Sequence, residues 1–213
     1  MKQEREYLDT SIWFKEKITD PYQTFAEFFS AADLVSHKRT VYDALRAANS
    51  NRIYDKRNPG DLLFSLGLLE SVINAAYLHN KGKNKSPLSI DVNSAFDPNL
   101  FRGWLGGDLT DWDYFPRILS LKEYKNPYIV FKRFFKFQDL ANWMTDFRTI
   151  AEYALVKTSL SEGCIDMDIL SIYLYLTKLI EAAHLIDVRE ITHIGGTIKN
   201  RLSELVLEIG TPG

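Results

Sequence analysis

The residues whose types and spacing are best suited to chemistry are Glu181 and His184. Three positions apart, they share one face of a helix, so a carboxylate and an imidazole point the same way, as they do in helical di-metal carboxylate sites. Such a site also needs a second Glu/His pair and two further carboxylates. The matching place earlier in the chain holds Asn74 and Tyr77, which cannot supply that pair. What remains is a polar stripe on each of two apolar segments. Glu70, Asn74 and Tyr77 fall within about 60° on a helical wheel, as do Thr177, Glu181 and His184, with Lys178 beside the second set. Facing each other, the stripes would line a ligand pocket; facing outward, they are the solvated sides of their helices.

Other reactive types carry less. The four histidines, 37, 79, 184 and 193, have no motif partner for nucleophilic catalysis. Cys164 is the only cysteine, which excludes an intramolecular disulfide and a four-cysteine zinc site, and Glu162, Asp166 and Asp168 around it argue against a reactive thiol. Arg189 and His193 are read as basic groups complementing the negative end of a helix. Gly195-Gly196-Thr197 with Lys199 and Arg201 could cradle an anion, but it matches neither the P-loop nor the dinucleotide fingerprint, so a plain turn with a Thr cap is expected. No cofactor is expected.

The 26 basic against 28 acidic residues, a net charge of −2, give no electrostatic case for nucleic acid or an anionic membrane. The basic groups Lys38-Arg39 with Arg46, and Lys132-Arg133 with Lys136, are read as solvated helix faces. Leu62 to Leu78 is the nearest approach to a membrane span, yet it is short and interrupted by Ser65, Glu70, Ser71 and Asn74, so a buried helix is expected. The N-terminus leads into no apolar run, and a cytoplasmic location is expected.

The elements that must position these residues come from a repeat. Pro21, Tyr22, Phe25, Phe28, Phe29, Asp33 and Leu34 recur with identical spacing as Pro127, Tyr128, Phe131, Phe134, Phe135, Asp139 and Leu140. Each copy opens with Asp-Pro or Asn-Pro, a cap followed by proline at the first helical position, and Gln23 is placed to complete a capping box. Past Phe29 the apolar face reverses at Asp33, and past Phe135 it reverses at Asp139. A helix break is expected at each, with the Asp capping a new helix that ends near Ala48 or Val156. A third, strongly apolar helix follows in each copy, near residues 62–79, with Asp61 as cap, and near 169–188. Their Ala75-Ala76 and Ala182-Ala183 pairs suggest close approach as a central pair.

The expected class is therefore all-α. It is a single domain made of two duplicated three-helix units, about 20–80 and about 126–188, related by a pseudo-twofold. A long aromatic connection, 81–126, and a C-terminal helix at about 197–209 complete it. No hairpin pattern stands out. The connection carries Trp104, Trp112, Tyr114 and Phe115, residue types that favour interfaces, and helix starts are expected at Asp97-Pro98 and Thr110-Asp111. Trp13 and Phe14 are expected to anchor the N-terminal lead-in. The first functional expectation is a non-enzymatic interaction or scaffold protein that docks a partner chain or a second copy of itself. The alternatives are a ligand- or metal-binding protein, possibly enzymatic, using Glu70, Asn74, Tyr77, Lys178, Glu181 and His184, and a DNA-binding regulator whose helix breaks mimic a helix-turn-helix.

Overall fold

A computed structural model describes residues 10–11, 16–56, 58–82, 115–194 and 197–200, with side chains at 18–56, 58–82 and 115–189. Among these residues the chain forms seven helices and two short antiparallel ribbons. The class is all-α, a helical bundle. Trp13, Phe14, Trp104, Trp112, Tyr114 and the expected helix starts at 97–98 and 110–111 lie outside the described residues.

The helix starts follow from local side-chain chemistry. In α1 (Pro21–Ala31), the Asp20 carboxylate accepts the Tyr22 N–H at 2.9 Å, with proline in the first position. The expected capping box does not form, because the Gln23 side chain instead donates to Glu27 one turn on. The breaks lie at the two aspartates. Asp33 accepts from the Ser36 N–H at 2.7 Å to start α2 (Leu34–Ala48), and Asp139 accepts from the Asn142 N–H at 2.8 Å to start α6 (Leu140–Ala154). Each cap satisfies one N–H that the first helical turn would leave unpaired, worth about 1 kcal/mol.

Two caps differ from expectation. The helix α3 (Pro59–Lys81) starts at Asn58, whose side chain accepts the Gly60 N–H at 2.8 Å, so Asp61 lies inside the first turn. This is the same acceptor-proline device as Asp20-Pro21. Asn126 does not cap α5 (Tyr128–Phe137) with its side chain; its backbone N–H closes a preceding short helix, α4 (Leu121–Lys125), on the Lys122 carbonyl. The third long helix of the second half, α7 (Ile169–Glu190), is capped by Asp168, which accepts from Ser171 at 3.0 Å.

Packing pairs the two halves. α1 lies against α3 and α7, α5 against α7 and α3, and α2 against α6. The central pair is thus α2 with α6, whereas α3 and α7 touch only slightly. The reason is that the aromatic helices intervene: Phe25, Phe28, Phe131, Phe134 and Trp143 are fully buried and fill one continuous core built from both halves. Several contacts link positions 106 apart. Tyr22 Oη lies 3.0 Å from Tyr128 Oη, and the Phe25 and Phe131 rings are 5.8 Å apart. Two backbone bonds are related by the same shift: the Tyr54 N–H donates to the Ala154 carbonyl at 2.8 Å, and the Leu160 N–H donates to the Ala48 carbonyl at 2.9 Å. His37 stacks on Phe28 with ring centroids 3.6 Å apart, as Trp143 stacks on Phe134 at 4.0 Å.

The ribbons are β1 (Thr10–Ser11) with β2 (Glu16–Lys17), and β3 (Ile191–Ile194) with β4 (Thr197–Asn200). β4 corrects the expected helix from about 197, whose first residues pair as a strand; 201–213 lie outside the described residues. Two glycines between β-branched runs are a hairpin signal, and here that signal prevails over the helical periodicity that follows it. α3 and the stretch Ile169–Arg189 of α7 are long and apolar enough to cross a membrane by length and composition. Both are also more than half buried in the protein core, 56% and 61% over their apolar windows.

Candidate functional site

Glu70 and Tyr77 of one polar stripe and Glu181 and His184 of the other contact different neighbours. The α7 stripe is covered by the chain returning from the long connection. Glu181 is fully buried; its two oxygens accept the Arg117 N–H at 2.9 Å and the Ile118 N–H at 3.0 Å, and Lys38 from α2 completes the set. Thr177 is buried and donates back to the Tyr173 carbonyl at 2.7 Å. His184 is buried with its ring 5.0 Å from that of Phe29. The carboxylate that sequence singled out for metal chemistry therefore serves as a clamp: charge-assisted hydrogen bonds tie residues 117–118 to α7.

The α3 stripe lies against the other half. Asn74 is fully buried, and Tyr77 sets its ring edge-on to Phe135 at 5.1 Å while Lys81 sits 4.4 Å over its face. Burial raises the pKa of the Glu70 carboxyl, a trend that Arg148 on α6 opposes. So Glu70 and Tyr77 face α6 and α5, whereas Glu181 and His184 face α2, the 117–118 segment and α1. Among the described residues no group of three or more His, Cys, Asp and Glu side chains is gathered as a metal would require.

Lys178 belongs to a second ionic cluster, which sequence reasoning missed. Its ammonium lies 3.0 and 3.2 Å from the carboxylate of buried Glu123, which also accepts from Arg133 at 2.6 Å and from the Ser120 backbone and hydroxyl. Burial pushes the Glu123 carboxyl up, but the Ser120, Lys178 and Arg133 donors together outweigh it and hold it at about 2. The signal for this site was in the sequence as Ser120-x-x-Glu123, a capping box that starts α4. Phe115, with Leu119, packs on Tyr124, Leu185 and Val188. Arg189 does not serve as a simple helix-end charge, since it donates to the Tyr124 carbonyl at 2.7 Å and lies over the Tyr124 ring at 4.3 Å. The stretch 115–125 is thus strapped across α7 at both its ionic clusters and its aromatic end.

The outer face of α7 is uncovered toward its N-terminus. Leu170 is 68% exposed and Leu174, one turn on, 40%. Beside them Tyr173 meets Tyr42 of α2 edge-on at 6.1 Å, and Tyr42 is 50% exposed. α2 and α6, the helices a DNA-binding reading would place in a groove, are packed against each other. Comparison of the chain with protein-family models, with characterised proteins and with solved structures gives no match.

Proposed function

We propose that the protein is a cytoplasmic, non-enzymatic interaction module, an internally duplicated bundle that docks a partner chain or a second copy of itself. The observation that carries this reading is the apolar strip of Leu170, Leu174 and Tyr42 on the outer faces of α7 and α2. Single exposed apolar residues are ordinary, but a contiguous set on a rigid helix marks an interaction surface. The chemistry of the stripes favours the same reading over a ligand site. Glu181 is engaged by three donors and Lys178 by a carboxylate, so their hydrogen-bonding capacity is used inside the fold.

Duplication with a pseudo-twofold is part of the proposal. It is supported by the contact of Tyr22 with Tyr128, 106 positions on, and by the Tyr54–Ala154 and Leu160–Ala48 hydrogen bonds, which map onto each other under the same 106-residue shift. A residue that touches its own repeat-mate is what an isologous contact produces. Native mass spectrometry combined with capture from a source lysate tests the functional reading. Association is expected, and Leu170→Glu with Leu174→Glu is expected to abolish it while leaving thermal stability unchanged, since both side chains are exposed. A strictly monomeric protein that captures nothing would refute it.

A further inference from the structure

Averaged over the chain, charge gives no case for an anionic partner, but it is not spread evenly. Residues 115–138 carry Arg117, Lys122, Lys125, Lys132, Arg133 and Lys136 against a single carboxylate, Glu123, in a chain whose net charge is −2. Glu123 is buried and already held by Lys178 and Arg133, so it does not offset the lysines outside it. The next carboxylates along the chain, Asp139 and Asp146, lie beyond the end of α5, one capping α6 and the other accepting from Gln138 at 2.8 Å.

The fold gathers these cations on one face. On α5, Lys132, Arg133 and Lys136 are exposed within about 100° of arc, opposite the buried Phe131 and Phe134. On α4, Leu121, Lys122 and Lys125 lie outward while Glu123 and Tyr124 are buried. The two helices pack on each other and are joined by the Arg133–Glu123 bond at 2.6 Å. Each also sets an apolar side chain beside its cations: Leu121 is 58% exposed and Phe137 37%. Packing does not demand this basic side. Phe25 and Phe28 of the first copy recur as Phe131 and Phe134, yet Ala26, Glu27 and Ser30 stand where Lys132, Arg133 and Lys136 do.

We propose that the outer face of α4 and α5 is a peripheral docking surface for an anionic lipid bilayer. Lysines predominate on it, and a lysine is a point charge on a flexible stem, suited to the diffuse potential of a lipid surface; paired recognition of single phosphates calls for arginine. Leu121 and Phe137 supply the apolar groups that enter the boundary between headgroups and acyl chains. This reading does not rest on the strip of Leu170, Leu174 and Tyr42. The test is co-sedimentation of the full chain with vesicles of phosphatidylcholine alone or with about 30 mol% phosphatidylserine. Binding is expected only to the phosphatidylserine vesicles, with release as salt rises from about 0.1 M to about 0.5 M. Each exposed lysine contributes about fivefold to partitioning, so Lys132→Ala with Lys136→Ala is expected to weaken it about 25-fold at unchanged thermal stability. Leu121→Ser is expected to weaken it about tenfold with the salt dependence retained. Lys56→Ala with Lys157→Ala, exposed cations near the opposite end of α6, is expected to leave it unchanged. Sedimentation with neither vesicle, equal sedimentation with both, or an equal loss in the Lys56/Lys157 variant overturns the proposal. Tighter binding of a single-stranded DNA of about 20 nucleotides in fluorescence anisotropy, lost in the Lys132/Lys136 variant, overturns lipid as the occupant.

Discussion

Replacing His37 by Phe separates the two things this ring does. The His37 Nε2–H donates to the Phe28 carbonyl at 2.8 Å, one of the last carbonyls of α1 and so without a full helical complement, while the ring stacks on Phe28. Phenylalanine keeps the stack and loses the donor, which near neutral pH is expected to destabilise the protein by about 1–3 kcal/mol. Burial pushes the imidazole down from 6.5 to about 4, against the Phe28 carbonyl and the Asp33 charge, which raise it. The folded pKa of this base lies below its unfolded value, so the unfolded chain binds the extra proton. Stability from the neutral ring is therefore fully present above about pH 6.5 and is lost as pH falls from there toward 4. Between about pH 7 and about pH 5 that loss amounts to about 2 kcal/mol. Urea unfolding followed by far-UV circular dichroism at both pH values gives the comparison directly. The penalty of His37→Phe is expected to shrink by about 2 kcal/mol on acidification, since the variant has no ring to protonate. Trp143→Phe, which loses the corresponding indole donor to the Phe134 carbonyl, serves as the control and is expected to show a penalty independent of pH in this range. An equal pH slope in wild type and His37→Phe would refute the reasoning.

Removing either cap, by Asp33→Ala or Asp139→Ala, should cost about 1 kcal/mol in the same urea assay, because each leaves one first-turn N–H unpaired. Glu181→Gln leaves Lys38 without its countercharge and removes an acceptor from the 117–118 backbone, so a loss of about 2 kcal/mol is expected, with faster amide hydrogen exchange at Arg117 and Ile118. Unchanged exchange there would count against the clamp. At Gly163, an added Cβ would lie 2.0 Å from the Tyr153 hydroxyl oxygen, so Gly163→Ala is expected to cost about 1–3 kcal/mol and to cost less in a Tyr153→Phe background.

Local chemistry was legible in the chain before folding. The aspartates at 33 and 139 mark a reversal of the apolar face, and a short acceptor at such a reversal is what a new helix start requires, so both breaks fall where expected. The Ser120-x-x-Glu123 box is equally local, but the helix it starts has only 5 residues, too few for an apolar period to mark it. The hairpin at 191–200 was missed because Ile198, Leu202 and Leu205 keep a helical period past two glycines that also suit a turn.

The site depended on tertiary structure. Sequence put Glu181 and His184 on one face of one helix, since periodicity fixes which side chains share a side. It could not say what lies over that face, because the cover comes from residues 117–118 and from Lys38, distant in the chain. Only the packed bundle turned a candidate ligand carboxylate into a clamp and left Leu170 and Leu174 exposed. Helix caps are decided within a few residues by hydrogen bonds the chain makes with itself, whereas the partner of a helix face is decided by which distant surface fills the space against it.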